Sequence, residues 1–267
     1  MTTTKELSNL RNRRALITGA TGHLGKVIAE TLAELGADLI LVDLPGSGID
    51  ILCNQLIDKW RIKVDYFICD LEIQEQRIDL LSKLKKSSKN LNILINNAAL
   101  VGTSDLAGWT VPFEDQSVNT WRRALEVNLT AVFELCQGLV PLLKKSEGSN
   151  IINISSIYGL LGPDWSLYEN TNMGNSAAYA ASKSGLIGLT RWLATTLSPR
   201  VRVNAIVPGG IFRNQPDEFI KKYSSRTPLG RMATEDDFRG IIQFLVSDLS
   251  GYVTGQVISV DGGFSAW

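Results

Sequence analysis

Seven short bursts of apolar, mostly β-branched residues recur along the chain, separated by longer stretches of helical period. No other feature limits the possible folds as much. The bursts are Ala15–Ile17, Leu39–Val42, Val64–Ile68, Ile93–Ile95, Ile151–Ile154, Val201–Ile206 and Val257–Val260. Most are near-continuous rather than alternating, the pattern of strands covered on both faces. Between the first two, Leu24, Val27, Ile28, Leu32 and Leu35 form one helical stripe, and Gly36 is placed to stop it. A later helix carries Leu125, Leu129, Val132, Leu135 and Leu139 and is expected to end near Pro141. Another carries Leu186, Leu189, Thr190, Leu193 and Leu197 and closes at Ser198-Pro199. Thr234 reads as an N-cap with Glu235, Asp236 and Asp237 in the first turn, ahead of Phe238, Ile241, Ile242 and Leu245. Strictly alternating strand and helix predict an α/β fold of the Rossmann type. Right-handed crossovers would build a doubly wound parallel sheet of about seven strands with helices on both faces. With no internal repeat and no linker rich in Pro, Gly or Ser, residues 1–267 read as a single domain.

Composition removes several functions. Lys plus Arg equals Asp plus Glu, 27 against 27, so bulk charge gives no purchase on nucleic acid or an acidic membrane. No unbroken apolar run reaches the roughly 18–20 residues of a membrane span. The polar opening of the chain has no secretory h-region. Cys53, Cys69 and Cys136 lie far apart in no metal-ligand spacing, which reads as buried reduced thiols in a cytoplasmic protein. With His23 the sole histidine, a His-rich metal site is excluded and no metal is expected. The run Lys83–Lys89 reads as a solvated helix end.

The first burst runs straight into Thr18-Gly19-Ala20-Thr21-Gly22-His23-Leu24-Gly25, and a helix follows. In a doubly wound fold such a turn brings backbone N–H groups and a helix N-terminus against a pyrophosphate, with glycines where a Cβ would block the approach. Asp43 closes the second burst. A carboxylate there accepts hydrogen bonds from both adenine-ribose hydroxyls and repels a 2′-phosphate. Leu44 follows it and no Lys or Arg adjoins it, so the cofactor predicted is NAD rather than NADP. Tyr179-Ala180-Ala181-Ser182-Lys183 opens another helix, and the four-residue spacing stacks Tyr179 and Lys183 on one face. A nearby ammonium and an oxidised nicotinamide would lower the phenol from its free pKa of about 10.

Taken in order, these motifs resemble the short-chain dehydrogenase/reductase family over nearly the whole chain. The glycine loop is followed by Asp70-Leu71, Asn96-Asn97-Ala98-Ala99, Val127-Asn128-Leu129, Asn153-Ile154-Ser155-Ser156, Tyr179–Lys183 and Pro208-Gly209. Pro228-Leu229-Gly230-Arg231, Ser247-Asp248 and Val260-Asp261-Gly262-Gly263 complete the series. The resemblance implies that Tyr179 is general acid/base for an alcohol/ketone pair. It implies that Lys183 holds the nicotinamide ribose and that Ser156 holds the substrate oxygen. Asn128 would hold a water linking Lys183 to solvent. It further implies that Gly19, Thr21, Gly22, His23, Leu24, Gly25 and Asp43 bind the cofactor. Asp70 and Leu71 would border the adenine, and Asn97, Ala98 and Ala99 would flank the nucleotide. Pro208, Gly209 and the backbone near Ile211 would meet the carboxamide. A homotetramer or homodimer is implied, packed through the helices after Thr120 and around Tyr179.

Three departures bear on the substrate. The loop glycines fall at Gly19, Gly22 and Gly25, a spacing more typical of longer sugar-nucleotide epimerases and dehydratases of the same superfamily. Ser156 and Tyr179 lie further apart than in most members. The extra stretch, with Asp164, Trp165, Tyr168, Glu169, Asn170, Asn172 and Met173, is expected to form a pocket wall or lid suited to a hydroxyl-rich ligand. After Pro208-Gly209, Arg213 stands near where the family often has Thr and could meet an anionic substrate group. The low-specificity substrate set is therefore Trp165, Tyr168, Asn172 and Arg213. The substrate loops are about residues 100–117, 157–175 and 209–227, and Asp105, Trp109, Phe113 and Glu114 are expected on the opposite rim. The 155–173, 208–215 and 226–231 segments resemble a subgroup associated with bacterial surface-sugar and flagellin-glycan pathways. The leading reading is an NAD-dependent oxidoreductase for a secondary alcohol on a small, polar, carbohydrate-like molecule. The alternatives are an NAD-retaining sugar-nucleotide epimerase and a non-catalytic NAD-sensing protein.

Overall fold

The computed structural model describes residues 1–87, 90–101, 104 and 106–267. After a short helix α1 (Thr4–Leu7), strand and helix alternate through β1 (Arg14–Thr18), α2 (His23–Glu34), β2 (Asp38–Asp43) and α3 (Ile49–Trp60). They continue through β3 (Val64–Ile68), α4 (Gln74–Ser87) and β4 (Ile93–Asn96). Next come α5 (Val118–Leu125), α6 (Ala131–Leu143), β5 (Ser149–Ile154), α7 (Ala177–Leu197) and β6 (Val201–Pro208). The chain ends with α8 (Asp217–Arg226), α9 (Arg239–Val246) and β7 (Val257–Val260). All seven strands form one parallel sheet in the order β3-β2-β1-β4-β5-β6-β7. Strand order reverses between β1 and β4, and the crevice beyond their carboxyl ends is where such a sheet can accept a ligand.

Successive strand residues enter opposite core layers, because side chains alternate across a sheet. Ile17, Leu39, Leu41, Ile93, Ile95 and Ile152 pack with Ile28, Leu32, Ile242 and Leu245 of α2 and α9. Leu16, Ile40, Leu94, Ile151 and Val203 pack with Leu80, Leu135, Leu139, Leu186 and Leu193 of α4, α6 and α7. Each such fully buried side chain contributes roughly 1.5–3 kcal/mol. The edge strand β3 departs from the continuous pattern and leaves Tyr66 and Ile68 exposed. Cys53, Cys69 and Cys136 are buried free thiols, and burial pushes them up to about 11, 11 and 12. Gly36 adopts φ +92 just past α2, and Thr234 caps with Asp237 ahead of a 3₁₀ turn that leads into α9.

The helix expected to end near Pro141 continues to Leu143, with Pro141 inside its last turn. Burial of Leu139, Leu142 and Leu143 holds that turn against the loss of one backbone donor. Its other end is also longer, since α5 runs into α6 through a π-helical turn, Glu126–Thr130. Among the described residues, Val118–Leu143 is long and apolar enough to cross a membrane, with a mean hydropathy of 1.2. Its Leu135, Cys136, Leu139 and Leu143 lie in the second core layer, and this packing accounts for their apolarity. The solvated helix end is borne out for Lys83, Lys85 and Lys86, whereas Ser88 and Lys89 lie outside the described residues.

One buried charge organises this side of the fold. Arg77 on α4 is 1% exposed, yet it pairs with Glu126 and Glu134 at 2.5 Å each. Its third bond goes to the Leu71 carbonyl, also at 2.5 Å. It therefore ties α4 to the π turn and to the loop after β3. Removing it would leave Glu126 without its Arg77 partner and Glu134 with only the Gln74 amide at 3.2 Å, so Arg77→Ala is expected to cost about 3 kcal/mol. Urea unfolding checks this. A loss below about 1 kcal/mol, the worth of an exposed pair, would show a solvated cluster instead.

Candidate active site

The glycine loop leaves β1 in a conformation that only glycine permits at two positions. Gly19 has φ +63, and a Cβ there would lie 2.8 Å from the Ala98 Cα. A Cβ on Gly25 would lie 2.0 Å from the Gly19 carbonyl oxygen. With Gly22 as its cap, α2 begins at His23 and turns the free N–H groups of its first turn toward the cleft. The loop is pinned from the next strand: the Asn97 side-chain amide donates to the Thr18 and Gly19 carbonyls at 3.0 and 2.9 Å. Thr18 Oγ1 accepts from the backbone N–H groups of Asn97 and Ala98. Asp43 accepts from both the N–H and the hydroxyl of Thr21 at 2.7 Å, and from the Leu44 N–H at 2.8 Å. Its carboxylate is thus held in one orientation at the cleft wall. The His23 side chain is 69% exposed, 3.8 Å from Glu235, as expected for a surface residue.

All of this opens into one cleft of about 950 Å³. Gly19, Thr21, Gly22, His23, Leu24, Gly25, Asp43, Asp70, Leu71, Asn97, Ala98 and Ala99 line one end. Pro208, Gly209 and Ile211 line the same cleft, and so do Ser156, Tyr179 and Lys183.

Helix α7 starts at the Ser176 cap, whose hydroxyl accepts from the Tyr179 N–H at 3.2 Å. That start places Tyr179 and Lys183 one turn apart, with the ammonium 5.7 Å over the phenol ring. The Ser156 hydroxyl acts on the Tyr179 phenol and favours its ionised form, whereas Ser155 donates to the Lys183 carbonyl inside the core. Both serines line the cleft, but the Ser155 hydroxyl is spent on that core bond, whereas the Ser156 Oγ accepts from the Tyr158 N–H. Burial raises the Tyr179 phenol above its usual value, opposed by the Ser156 hydroxyl and by the positive charge of Arg213. Burial also brings Lys183 down to about 8, and its ammonium donates to the Ile154 carbonyl at 2.9 Å. Asn128 is not brought to Lys183 directly. It sits behind the cleft wall, bonded to the Leu100 backbone in both directions and to Ser182.

The stretch between Ser156 and Tyr179 forms a wall, as expected. Tyr168, Asn172 and Met173 line the cleft, and so do Arg213 and Gln215 from the loop after β6. Two expectations need correction. Trp165 does not line the cleft: it is exposed and packs its ring 5.8 Å from that of Tyr168, while Leu167 supplies the buried anchor. Trp109 is not a rim residue either, being 2% exposed, with its Nε1 donating to the Val101 carbonyl at 2.8 Å. Its large apolar surface is better satisfied beside Ala124 and Ala178 than in solvent. Phe113 and Glu114 lie exposed outside the cleft lining, so that rim is made by Val101 and Thr110 instead. Asp105 lies outside the described residues.

A family profile described as enoyl-(acyl carrier protein) reductase matches residues 19–265. The chain belongs to the short-chain dehydrogenase/reductase family. It is 34% identical to the 3-oxoacyl-[acyl-carrier-protein] reductase FabG of Thermotoga maritima, over 95% of this chain and 98% of that one. It is 29% identical to the post-translational flagellin modification protein A of Campylobacter coli, over 96% and 99%. A short-chain dehydrogenase of Leptospira borgpetersenii, solved with bound NAD+, superimposes with a TM-score of 0.84 at 33% identity, covering 99% of this chain and 97% of that one. A candidate NAD(P)-dependent gluconate 5-dehydrogenase of Beutenbergia cavernae, with NADP at low occupancy, gives 0.85 at 30% identity, covering 98% and 100%.

As a short-chain dehydrogenase/reductase, the chain carries cleft features that its linear motifs did not reveal. Tyr158, Asn175 and Tyr223 all line the cleft. Tyr158 was detectable as the second residue after Ser156; the other two depend on how loop and α8 pack. The buried Lys183 has a consequence for stability. An unfolded lysine titrates near 10.4, so between about pH 8 and there the unfolded chain binds the extra proton. The charged-lysine penalty is complete below that window and fades as pH rises through it. Wild type should therefore gain stability relative to Lys183→Met between pH 7.5 and 10. Parallel melting curves would show it, and a pH-independent gap would contradict the assignment of burial as the cause.

Proposed function

We propose that this short-chain dehydrogenase/reductase is an NAD-dependent enzyme interconverting a secondary alcohol and a ketone on a polar, carbohydrate-like substrate. The convergence of Ser156, Tyr179 and Lys183 on the same cleft that the glycine loop lines carries this reading. Bound NAD supplies the hydride acceptor, and the protein aligns the substrate and moves the proton. In oxidation, Tyr179 takes the alcohol proton while the Ser156 hydroxyl holds the same oxygen. Burial works against a phenolate and is opposed by the Ser156 hydroxyl and the Arg213 charge; the Lys183 ammonium 5.7 Å over the ring and an oxidised cofactor would add further positive charge. Asn128 orders the turn behind these groups; its π-helical segment leaves backbone groups out of the usual ladder, where a water can be held to link Lys183 to solvent.

Asp43 supports NAD over NADP. Its carboxylate faces the nucleotide end of the cleft, held by Thr21 and Leu44, and a 2′-phosphate would meet that negative charge. Relatives are found with either cofactor, so this residue, not the fold, makes the distinction. Tyr158, Tyr168, Asn172, Asn175, Arg213 and Gln215 give the substrate end a hydrogen-bonding character suited to a sugar-like molecule more than to an acyl chain. The gluconate 5-dehydrogenase relative is named for a sugar-derived substrate, whereas FabG is named for an acyl one, so the lining residues carry this part of the reading. Exposed Val118, Trp121 and Phe133 on α5 and α6, with Trp192 on α7, support a homodimer or homotetramer built across those helices. Three free buried thiols fit the reducing cytoplasm.

Calorimetric titration with NADH and NADPH tests the cofactor. Wild type should bind NADH in clear preference, and Asp43→Ala should weaken NADH binding about tenfold to a hundredfold, the worth of charge-assisted hydrogen bonds to the ribose. A preference for NADPH would overturn the assignment. Tyr179→Phe should lower kcat by about 10²–10⁴ with NADH affinity retained, and a smaller loss would remove Tyr179 as the acid/base.

A further inference from the structure

Two phenols from different segments meet at the substrate end of the cleft. Tyr158 lies in the 3₁₀ turn Ile157–Gly159 directly after β5, and its N–H donates to the Ser156 Oγ at 3.2 Å. Tyr168 comes from the stretch that separates Ser156 from Tyr179. The two hydroxyls are hydrogen-bonded to each other, and Tyr158, Tyr168 and Asn175 all line the cleft. The Tyr168 ring is held between Trp165 at 5.8 Å and Phe219 at 5.5 Å, so its position is set by packing on α8. Burial raises both phenols above their usual value, and they remain neutral across the working range of pH. They are therefore hydrogen-bonding groups and not competing bases for Tyr179.

Each phenol has one proton and can accept on its oxygen as well. Their mutual bond uses a single proton, which leaves one proton and the remaining lone pairs for a partner in the cleft that both residues line. Only a group that both donates and accepts matches it fully; a methylene placed there would leave it unpaired at a cost. The Ser156 Oγ accepts from the Tyr158 N–H, and Tyr158 and Tyr168 both lie near enough to Tyr179 to interact with it electrostatically, so the phenol pair adjoins the Ser156–Tyr179 corner. Two oxygens on adjacent carbons lie within hydrogen-bonding distance of each other. When one occupies the Ser156–Tyr179 corner, its neighbour is presented to the phenol pair.

We propose that the paired hydroxyls of Tyr158 and Tyr168 recognise a hydroxyl on the carbon adjacent to the reacting one, so that the substrate is a vicinal diol or the matching α-hydroxy ketone. This rests on the oxidoreductase reading above and narrows its substrate class. In this arrangement the stretch before Tyr179 selects substrate chemistry as well as closing the cleft.

Matched ligand pairs test it. cis-1,2-Cyclohexanediol and cyclohexanol are compared as substrates with NAD, and 2-hydroxycyclohexanone and cyclohexanone with NADH. Binding of the two alcohols to the enzyme–NADH complex is measured by calorimetry in parallel. Wild type should favour the hydroxylated member by about tenfold to a hundredfold in kcat/KM. That ratio should fall toward one in both Tyr158→Phe and Tyr168→Phe, which preserve ring packing. Equal use of the two members by wild type, or a preference that survives both substitutions, would overturn the proposal and leave the pair as a strut for the loop. If no member is turned over but the diol binds more tightly and both variants lose that advantage, the recognition site stands and the oxidoreductase reading fails. Failure of both alcohols to bind, with another ketone reduced, overturns the recognition site alone.

Discussion

A parallel sheet buried on both faces is the constraint from which the rest of this molecule follows. Its strands can satisfy their backbone groups only through the ladder, and apolar side chains fill both layers. Polar chemistry is thereby excluded from the body of the sheet and pushed to the ends of the strands. Because strand order reverses between β1 and β4, those ends diverge there and open a crevice. The cleft occupies that crevice. The loops after β1, β2, β4, β5 and β6 all contribute to it, which brings residues as distant as Gly19 and Ile211 into one wall.

Within that frame the nucleotide end depends on close backbone packing. Gly25 lies against the Gly19 carbonyl with no room for a side chain, and Asn97 fastens the same loop from β4. The reacting end depends on burial instead. The low-dielectric surroundings that bring Lys183 down and raise Tyr179 make each group responsive to a charge introduced beside it. A cationic ring entering the cleft therefore has more effect on the phenol here than it would in water.

Much of this was legible in the linear chain, since the residues concerned are governed by local geometry. Glycine spacing between a strand and a helix, a carboxylate closing β2, and a tyrosine and lysine one turn apart all declare themselves without knowledge of distant contacts. All the cofactor-end residues marked from these motifs line the cleft. The misjudged residues share a different trait. Trp109 and Trp165 are large aromatics in loops, and composition alone does not distinguish an indole that fills a core gap from one that meets ligand. Trp109 went inward because Ala124 and Ala178 leave space beside it, and Trp165 stayed outside because Leu167 took the anchoring role. Arg77 escaped notice for a related reason, because a lone arginine on a helix reads as solvated until two carboxylates from 49 and 57 residues away are brought to it.

The sequence by itself determined the layer architecture, the polarity of the sheet and the nucleotide end of the cleft. These rest on period, on glycine and on residues within a few positions of one another. Only the tertiary structure decided which serine spends its hydroxyl in the core, where Asn128 spends its amide, and which loop aromatics line the cleft. Those outcomes turn on side chains from separate segments competing for the same space and the same hydrogen-bond partners. The pairing of Tyr158 with Tyr168 belongs to that second class: neither residue is informative alone, and their meaning comes from the contact that packing on Phe219 imposes.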